Sequence, residues 1–307
     1  MEKSLLTEEL FRRSFIVAML VGIICRIMVL RMSEKQYPSK PQDYIEQLIV
    51  SGLSSSLGAV AFPALLDKEF SALTFFAIAI QQFQGLSKQE RTTIENIDKA
   101  ELVPKGVGYI EDICSTYESR SYISLLSSLV ASACLIRGYK IHNLGYIGAT
   151  ILAVIGGIIV GLIFRRYLRR YSVGDFAEVV PANINFDGPI LKVNDIYIEN
   201  IGLKDTRKRY IDKGLAIEIK PSNMFSFGVI SDESQRQAIL HNIFINLGID
   251  KDIDEKDILS VSRVDLEKRT VVIPYIPLIK DMDELIRVVK STPITEYAKG
   301  KQSAYQK

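Results

Sequence analysis

The most apolar stretch of the chain, Leu144–Phe164, is closed by Arg165, Arg166, Arg169 and Arg170. As a helix its roughly 21 residues would measure about 30 Å, the thickness of a bilayer's hydrocarbon core. A chain with such a segment is expected to be integral to a membrane, with a tethered domain after the arginines. The positive-inside rule places that arginine cluster, and everything after it, in the cytoplasm.

Four further apolar runs precede it. Together they predict spans at about 14–31, 47–66, 71–85, 121–137 and 144–164. The expected fold is therefore a membrane α-helical bundle of about five spans over residues 1–167, followed by a cytoplasmic α+β domain over 168–307. The first run, Phe15–Leu30, is interrupted by Arg26 and has no small-x-small cleavage site, so it reads as a retained anchor. Arg26 can snorkel to the inner surface if this span exits there. The third run is short, and Asp67-Lys68-Glu69 leaves it almost no loop, which suits a tight hairpin or a partly re-entrant segment. With an odd number of spans the N-terminus lies outside. Lys and Arg then favour the inner segments about two to one, although Arg12-Arg13 on their own favour the opposite sense.

Polar chemistry inside the spans is sparse. Span two is rich in small residues (Ser51, Gly52, Ser54, Ser55, Ser56, Gly58), and span five carries Gly157-x-x-x-Gly161. Such faces permit close helix approach, either within the bundle or, through Gly157 and Gly161, in a homo-oligomer. No Lys or His in a partner span offers a base for serine catalysis, and no span holds a carboxylate, which weighs against ion-coupled transport.

Over residues 168–307 Lys+Arg and Asp+Glu are equal in number, a balance that argues against a nucleic-acid footprint. Cys25, Cys114 and Cys134 lack the paired spacing of a zinc site or a disulfide framework, and two histidines, His142 and His241, exclude H-E-x-x-H chemistry. No metal and no cofactor is implied. Membrane lipids are the expected surroundings. His241 lies within a helical pattern and reads as structural.

In the C-terminal part, strands are expected near 176–186, 189–193, 195–201, 214–220, 224–231, 258–264 and 270–275, with helices near 233–247 and 282–290. Asp187-Gly188 marks a hairpin turn, Asp232 or Ser231 an N-cap, and Gly248 a helix end. Pro274 and Pro277 put the last strand at a sheet edge or at its own end. The run Lys204–Arg209 reads as a solvated loop.

The loops expected inside are more specific. One contains Gln36-Tyr37-Pro38. Another, from Ser87 to Ser121, opens as an amphipathic helix with Ile94, Ile97 and Leu102 inward, then reads Leu102-Val103-Pro104-Lys105-Gly106-Val107-Gly108-Tyr109-Ile110-Glu111. Its two glycines are too few for a phosphate loop. These runs, with Ser56–Ala64 and the stretch from Thr74-Phe75 to Gln81-Gln82-Phe83, resemble the YIEGIA family. That family comprises multi-pass membrane proteins of endospore-forming Firmicutes associated with sporulation. The resemblance runs nearly the full length and marks Tyr37, Pro38, Tyr109, Ile110 and Glu111 as motif residues. It departs where the family name spells Gly and Ala, since this chain has Asp112 and Cys114; Asp112 is thus a poor candidate for a family-wide catalytic role.

Two functional classes follow. Ser172-Val173-Gly174-Asp175, just past the last span, is similar to the Gly-x-Gly-Asp of membrane aspartyl proteases without its first glycine. Such chemistry needs two carboxylates sharing a proton. Asp175 would need a partner from Asp187, Asp195, Asp43 or a second protomer. A sporulation protease that joins five spans to a cytoplasmic retropepsin-like domain supplies an analogy, but Phe186-Asp187-Gly188-Pro189 lacks the hydroxyl of Asp-Thr/Ser-Gly. The other class is a non-catalytic assembly or regulatory factor, whose long loops and C-terminal domain bind a soluble cytoplasmic protein. It is the reading favoured by the incomplete catalytic set.

Overall fold

Five long helices make up most of the N-terminal half in the computed structural model: α1 (Glu8–Leu30), α2 (Pro41–Leu66), α3 (Phe70–Asp98), α4 (Val107–Lys140) and α5 (Tyr146–Tyr167). The described residues are 8–30, 41–67, 70–168, 171–252, 255, 258 and 260–305. Among the described residues, three helical stretches are long and apolar enough to cross a membrane, namely Gln47–Leu66, Val107–Lys140 and Tyr146–Tyr167. Long apolar runs take this form because a helix satisfies its own backbone polar groups where water is absent. Pro63 lies inside α2, and its carbonyl still accepts from the Asp67 amide at 3.0 Å.

The chain divides into two units. One comprises Met1–Glu90 and Ile113–Arg169; the other comprises Arg91–Asp112 and Arg170–Lys307. The second unit thus takes in the end of α3, the turn that follows it and the start of α4, which sequence alone assigns to a loop of the membrane half.

Within the helical unit, small residues make the contacts. Ala149, Ala153, Gly157 and Gly161 form the buried stripe of α5. A Cβ on Gly157 would strike Val21 of α1, and one on Gly161 would come within 2.6 Å of the Cys25 sulfur. The glycine pair therefore packs against α1 in the same chain. Serines link other helices: the Ser14 and Ser132 hydroxyls lie 3.0 Å apart, and Ser132 donates to the Ala59 carbonyl at 3.0 Å. Arg26 is fully buried within the bundle and donates to Gln47 Oε1 at 2.6 Å and to Ser121 Oγ at 3.4 Å. Two neighbouring helices present acceptors at its depth, and a charge in an apolar bundle takes such acceptors when it can. Large apolar side chains face outward instead, including Ile16, Leu20, Ile24 and Ile27 on α1 and Ile147, Ile151, Ile155 and Ile159 on α5.

The C-terminal unit is an α+β domain with two antiparallel sheets. Its elements are α6 (Val173–Phe176), β1 (Ala177–Ala182), β2 (Ile184–Asp187), β3 (Ile190–Val193), β4 (Ile196–Asn200), α7 (Lys204–Lys213), β5 (Leu215–Pro221), α8 (Met224–Ser231), α9 (Glu233–Leu247), β6 (Arg263–Asp265), β7 (Thr270–Tyr275), α10 (Met282–Ser291) and α11 (Glu296–Tyr305). The sheets run β1-β5-β7-β6 and β2-β3-β4. All six residues of β7 are buried, and the core joins Ile217, Ile219, Val271 and Ile273 to Ile239, Ile243, Leu285 and Val289 of α9 and α10.

Several expected elements change. The strand foreseen over 176–186 is split, because the chain leaves one sheet after Ala182 and enters the other at Ile184. Asn194, at φ 53°, accepts the Asn183 amide through its side chain at that switch. Residues 224–231 form α8 and not a strand. A short apolar run is ambiguous by periodicity, and the Asn223 side chain decides it by accepting from the Ser226 amide at 2.8 Å. The basic run from Lys204 is helical, held by Thr206 and Tyr210 buried one turn apart. The strand near 258–264 shrinks to β6. Pro274 pairs with Ala216 of β5 beyond the reach of β6, which ends its pairing at Val272. Ile97 and Leu102 point outward, while Asp98 and Val103 are buried in their place.

Candidate functional site

The segment between α3 and α4 is shaped by its own side chains. Asp98 ends α3 and turns its carboxylate onto the turn ahead, accepting from the Lys105 amide at 2.5 Å and the Gly106 amide at 3.2 Å. Lys105 reaches back to Glu101 at 2.6 Å. Gly106 sits at φ 84°, where an L side chain is strained, and a Cβ there would lie 2.9 Å from Gln237. A Cβ on Gly108 would lie 2.6 Å from Ser234. The two glycines are required by close approach to α9.

Helix α9 grips the turn through two polar side chains one turn apart. Gln237 donates to the Pro104 carbonyl at 2.6 Å, and His241 Nδ1 lies 2.8 Å from the Val103 carbonyl. His241 is 1% exposed, with the rings of Tyr109 and Phe244 at centroid distances of 6.4 Å each. Burial holds its pKa below the ordinary histidine value, the nearby Lys105 charge adds to this, and Glu101 and Asp98 oppose it. A neutral imidazole has a single N–H, and the Val103 carbonyl assigns it to Nδ1. Nε2 is then a buried acceptor with no hydrogen-bond partner among the described residues.

The same helix fastens other segments. Gln235 donates to the Pro293 carbonyl at 3.1 Å and accepts from the Thr295 amide at 2.7 Å, and Asn242 donates to the Val288 carbonyl at 2.9 Å. Four buried or half-buried polar side chains on one helix thus hold the interhelical segment on one side and the α10–α11 region on the other. Polar groups placed there cost desolvation unless satisfied, and here each finds a backbone partner.

The motif residues fall on this clasp. Tyr109 and Ile110 are buried, and Glu111 pairs with Arg91 of α3 at 2.6 Å. Asp112 and Cys114, where the chain departs from the family name, are buried as well. Tyr37 and Pro38 lie outside the described residues. Gly174 packs against α10, where a Cβ would stand 3.3 Å from the Lys290 carbonyl.

The candidate carboxylates are held apart. Asp175 completes the capping box of α6, accepting from the Ser172 amide at 2.7 Å and the Ser172 hydroxyl at 2.9 Å. Asp187 closes the β2–β3 hairpin with Lys192 at 2.8 Å, a pairing that holds its carboxyl below the ordinary range. Asp195 lies in the β3–β4 turn, 94% exposed and 3.8 Å from Lys268. Asp187 and Asp195 stand at opposite ends of the four-residue β3, roughly 10–13 Å of strand apart. Asp175 belongs to another element altogether. Asp43 falls in the first turn of α2, with its side chain outside the described residues. Asp175, Asp187 and Asp195 share no hydrogen-bond partner among the described residues, which hold no group of three or more His, Cys, Asp or Glu placed to bind a metal. The residues that sequence reasoning passes over are Asp98, Gln237 and the role of His241. The one available signal is Gln237 and His241 at i and i+4, on one face of α9.

Comparison with known proteins agrees with the motifs. No solved structure matches the chain. A Bacillus subtilis (strain 168) protein described as "Uncharacterized protein YphB" is 29% identical over 284 residues, covering 92% of each chain. The family model for "YIEGIA protein" matches residues 14–305, and the chain belongs to that family.

Proposed function

We propose that this protein is a sporulation-associated integral membrane protein that works as a membrane-tethered assembly or regulatory factor. Its C-terminal domain and interhelical loop face the cytoplasm and engage a soluble protein partner. One observation carries the reading: the segment Arg91–Asp112 between two long helices belongs to the same unit as the C-terminal domain and is clasped by α9. The domain is thereby joined to the helical unit through α3, through α4 and through the chain after α5. Such a connection lets a binding event on the domain act on helices, or the reverse, without chemistry. The separated carboxylates support the same reading.

In this reading α1 and α3 supply two further crossings, making five spans with the N-terminus outside. The outward Ile16, Leu20, Ile24 and Ile27 give α1 an apolar face suited to lipid. The Arg165–Arg170 cluster supports the inward C-terminus.

The test compares wild type, Asp175→Asn and Gly108→Leu expressed in a sporulating host, with partners captured by cross-linking and total protein abundances measured by mass spectrometry. The expected result is one partner captured equally by wild type and Asp175→Asn and lost with Gly108→Leu, whose side chain collides with Ser234. A protein cleaved in the presence of wild type and spared by Asp175→Asn would replace this reading with proteolysis.

A further inference from the structure

At one end of the four-stranded sheet, a cleft of about 450 Å³ opens between the end of β5, the first turn of α8 and the β6–β7 turn. Three cationic side chains line it: Lys220, Lys268 and Arg269. The lone carboxylate there, Glu218, is already engaged, accepting from Asn194 at 3.1 Å and standing 4.0 Å from Lys220. Lys268 has only a loose pairing with the exposed Asp195 at 3.8 Å. Arg269 has no hydrogen bond or ion pair among the described residues.

The turn that presents these cations is built with some strain. Arg269 occupies φ 54°, a region that bulky residues rarely enter and where Gly or Asn is usual. The Asp265 carboxylate accepts from the Glu267 and Lys268 amides at 2.8 and 3.0 Å and fixes the turn's approach. Met224, 62% exposed, and Phe227 form an apolar wall opposite.

An unpaired guanidinium in a strained backbone and two further cations form a recognition set for a multiply charged oxyanion. A guanidinium fork and lysine point charges suit phosphate oxygens, and one arginine would serve a monocarboxylate. The space is that of a small-ligand site. We infer that this cleft binds a phosphate-bearing anion of up to about nucleotide size through Arg269, Lys220 and Lys268, with its apolar part against Met224 and Phe227. The ligand is either a soluble phosphate ester or a phospholipid headgroup, which share this chemistry.

The experiment titrates pyrophosphate into the full-length protein held in phosphatidylcholine nanodiscs and reads heat. Binding is expected, weakened about tenfold or more by Arg269→Asn and by Lys220→Gln. Asparagine tolerates the left-handed backbone, so Arg269→Asn removes the charge without adding strain to the turn. An unchanged thermal midpoint for the two variants certifies their folding. Flotation of the nanodiscs with phosphatidic acid vesicles, if reduced by both substitutions, identifies a headgroup as the source; flotation indifferent to them, with pyrophosphate binding intact, identifies a soluble ester. No heat with pyrophosphate, or binding that neither substitution moves, would overturn the inference.

Discussion

The two units of this chain differ in what they bury. In the helical unit the interior mixes Ala149, Ala153, Gly157, Gly161, Ser14, Ser132 and even Arg26 with large apolar residues such as Ile123 and Leu135, while many isoleucines and leucines, Ile151 and Ile155 among them, lie on the outside. In the C-terminal unit the interior is Ile217, Ile219, Val271, Ile273 and their neighbours, and the charges face outward. Where water is the solvent, removing apolar area from it drives folding, so large aliphatic side chains go inside. Where hydrocarbon is the solvent that drive vanishes, and close backbone approach with hydroxyl hydrogen bonds decides what lies inside. The contrast explains why the helical unit places polar and small residues inside and spends many of its isoleucines on the outer face, whereas the C-terminal unit fills its core with them.

The largest effect that would break this comparison is in the C-terminal core. Ile273→Ala removes a fully buried side chain from β7 and is expected to cost about 2–5 kcal/mol. Ile151→Ala on α5, 55% exposed, is expected to cost under about 1 kcal/mol. Hydrogen–deuterium exchange read peptide by peptide reports each unit separately, which a single melting curve cannot do for a chain of two units. Equal losses would mean that the outer face of α5 is packed against protein. Next in size is Gly157→Leu, which drives a side chain into Val21 and is expected to cost about 1–3 kcal/mol by overpacking. Faster exchange along α1 and α5, with β5 and β7 unchanged, is the expected pattern. A stable variant would mean that α1 and α5 do not meet at this glycine.

What could be read in the sequence follows the same divide. Long apolar runs are their own signal, so Gln47–Leu66 and Tyr146–Tyr167 coincide with two expected spans nearly end to end. In the C-terminal unit, α9 was legible from its Asp232 cap and Gly248 stop, and β3, β5 and β7 from their β-branched runs. The run Met224–Ser231 was not, because a short, largely apolar run suits a strand or a buried helix equally until the Asn223 cap is placed. The clasp was hidden for another reason. Its partners, Val103 and His241, stand 138 positions apart, and no local pattern couples a carbonyl on one segment to an imidazole on another. Even the amphipathic reading of residues 94–102 failed for this reason, since the segment turns Asp98 and Val103 inward to meet α9 and leaves Ile97 and Leu102 outside.

The smallest expected effect is also the most specific to the clasp. In the folded chain, burial keeps the His241 pKa below its ordinary value, near 6.5 when unfolded. Between those two values the unfolded chain binds more protons than the folded one, so stability rises with pH. The contribution of neutral His241 is therefore complete above about pH 6.5 and is lost as pH falls below it toward the depressed folded value. Protonation would put an N–H at Nε2 with no acceptor among the described residues, and the nearby Glu101 and Asp98 do not make up for burial, which the Lys105 charge reinforces. Exchange in the segment Asp98–Asp112 is expected to quicken, after correction for intrinsic rates, when pH drops from about 7.5 to about 5.5. His241→Asn preserves an N–H donor for the Val103 carbonyl at the position of Nδ1 but does not titrate. The variant should keep the segment docked and flatten its pH response. A response that persists in His241→Asn would move the titrating group elsewhere and leave α9 holding the turn by hydrogen bonding alone.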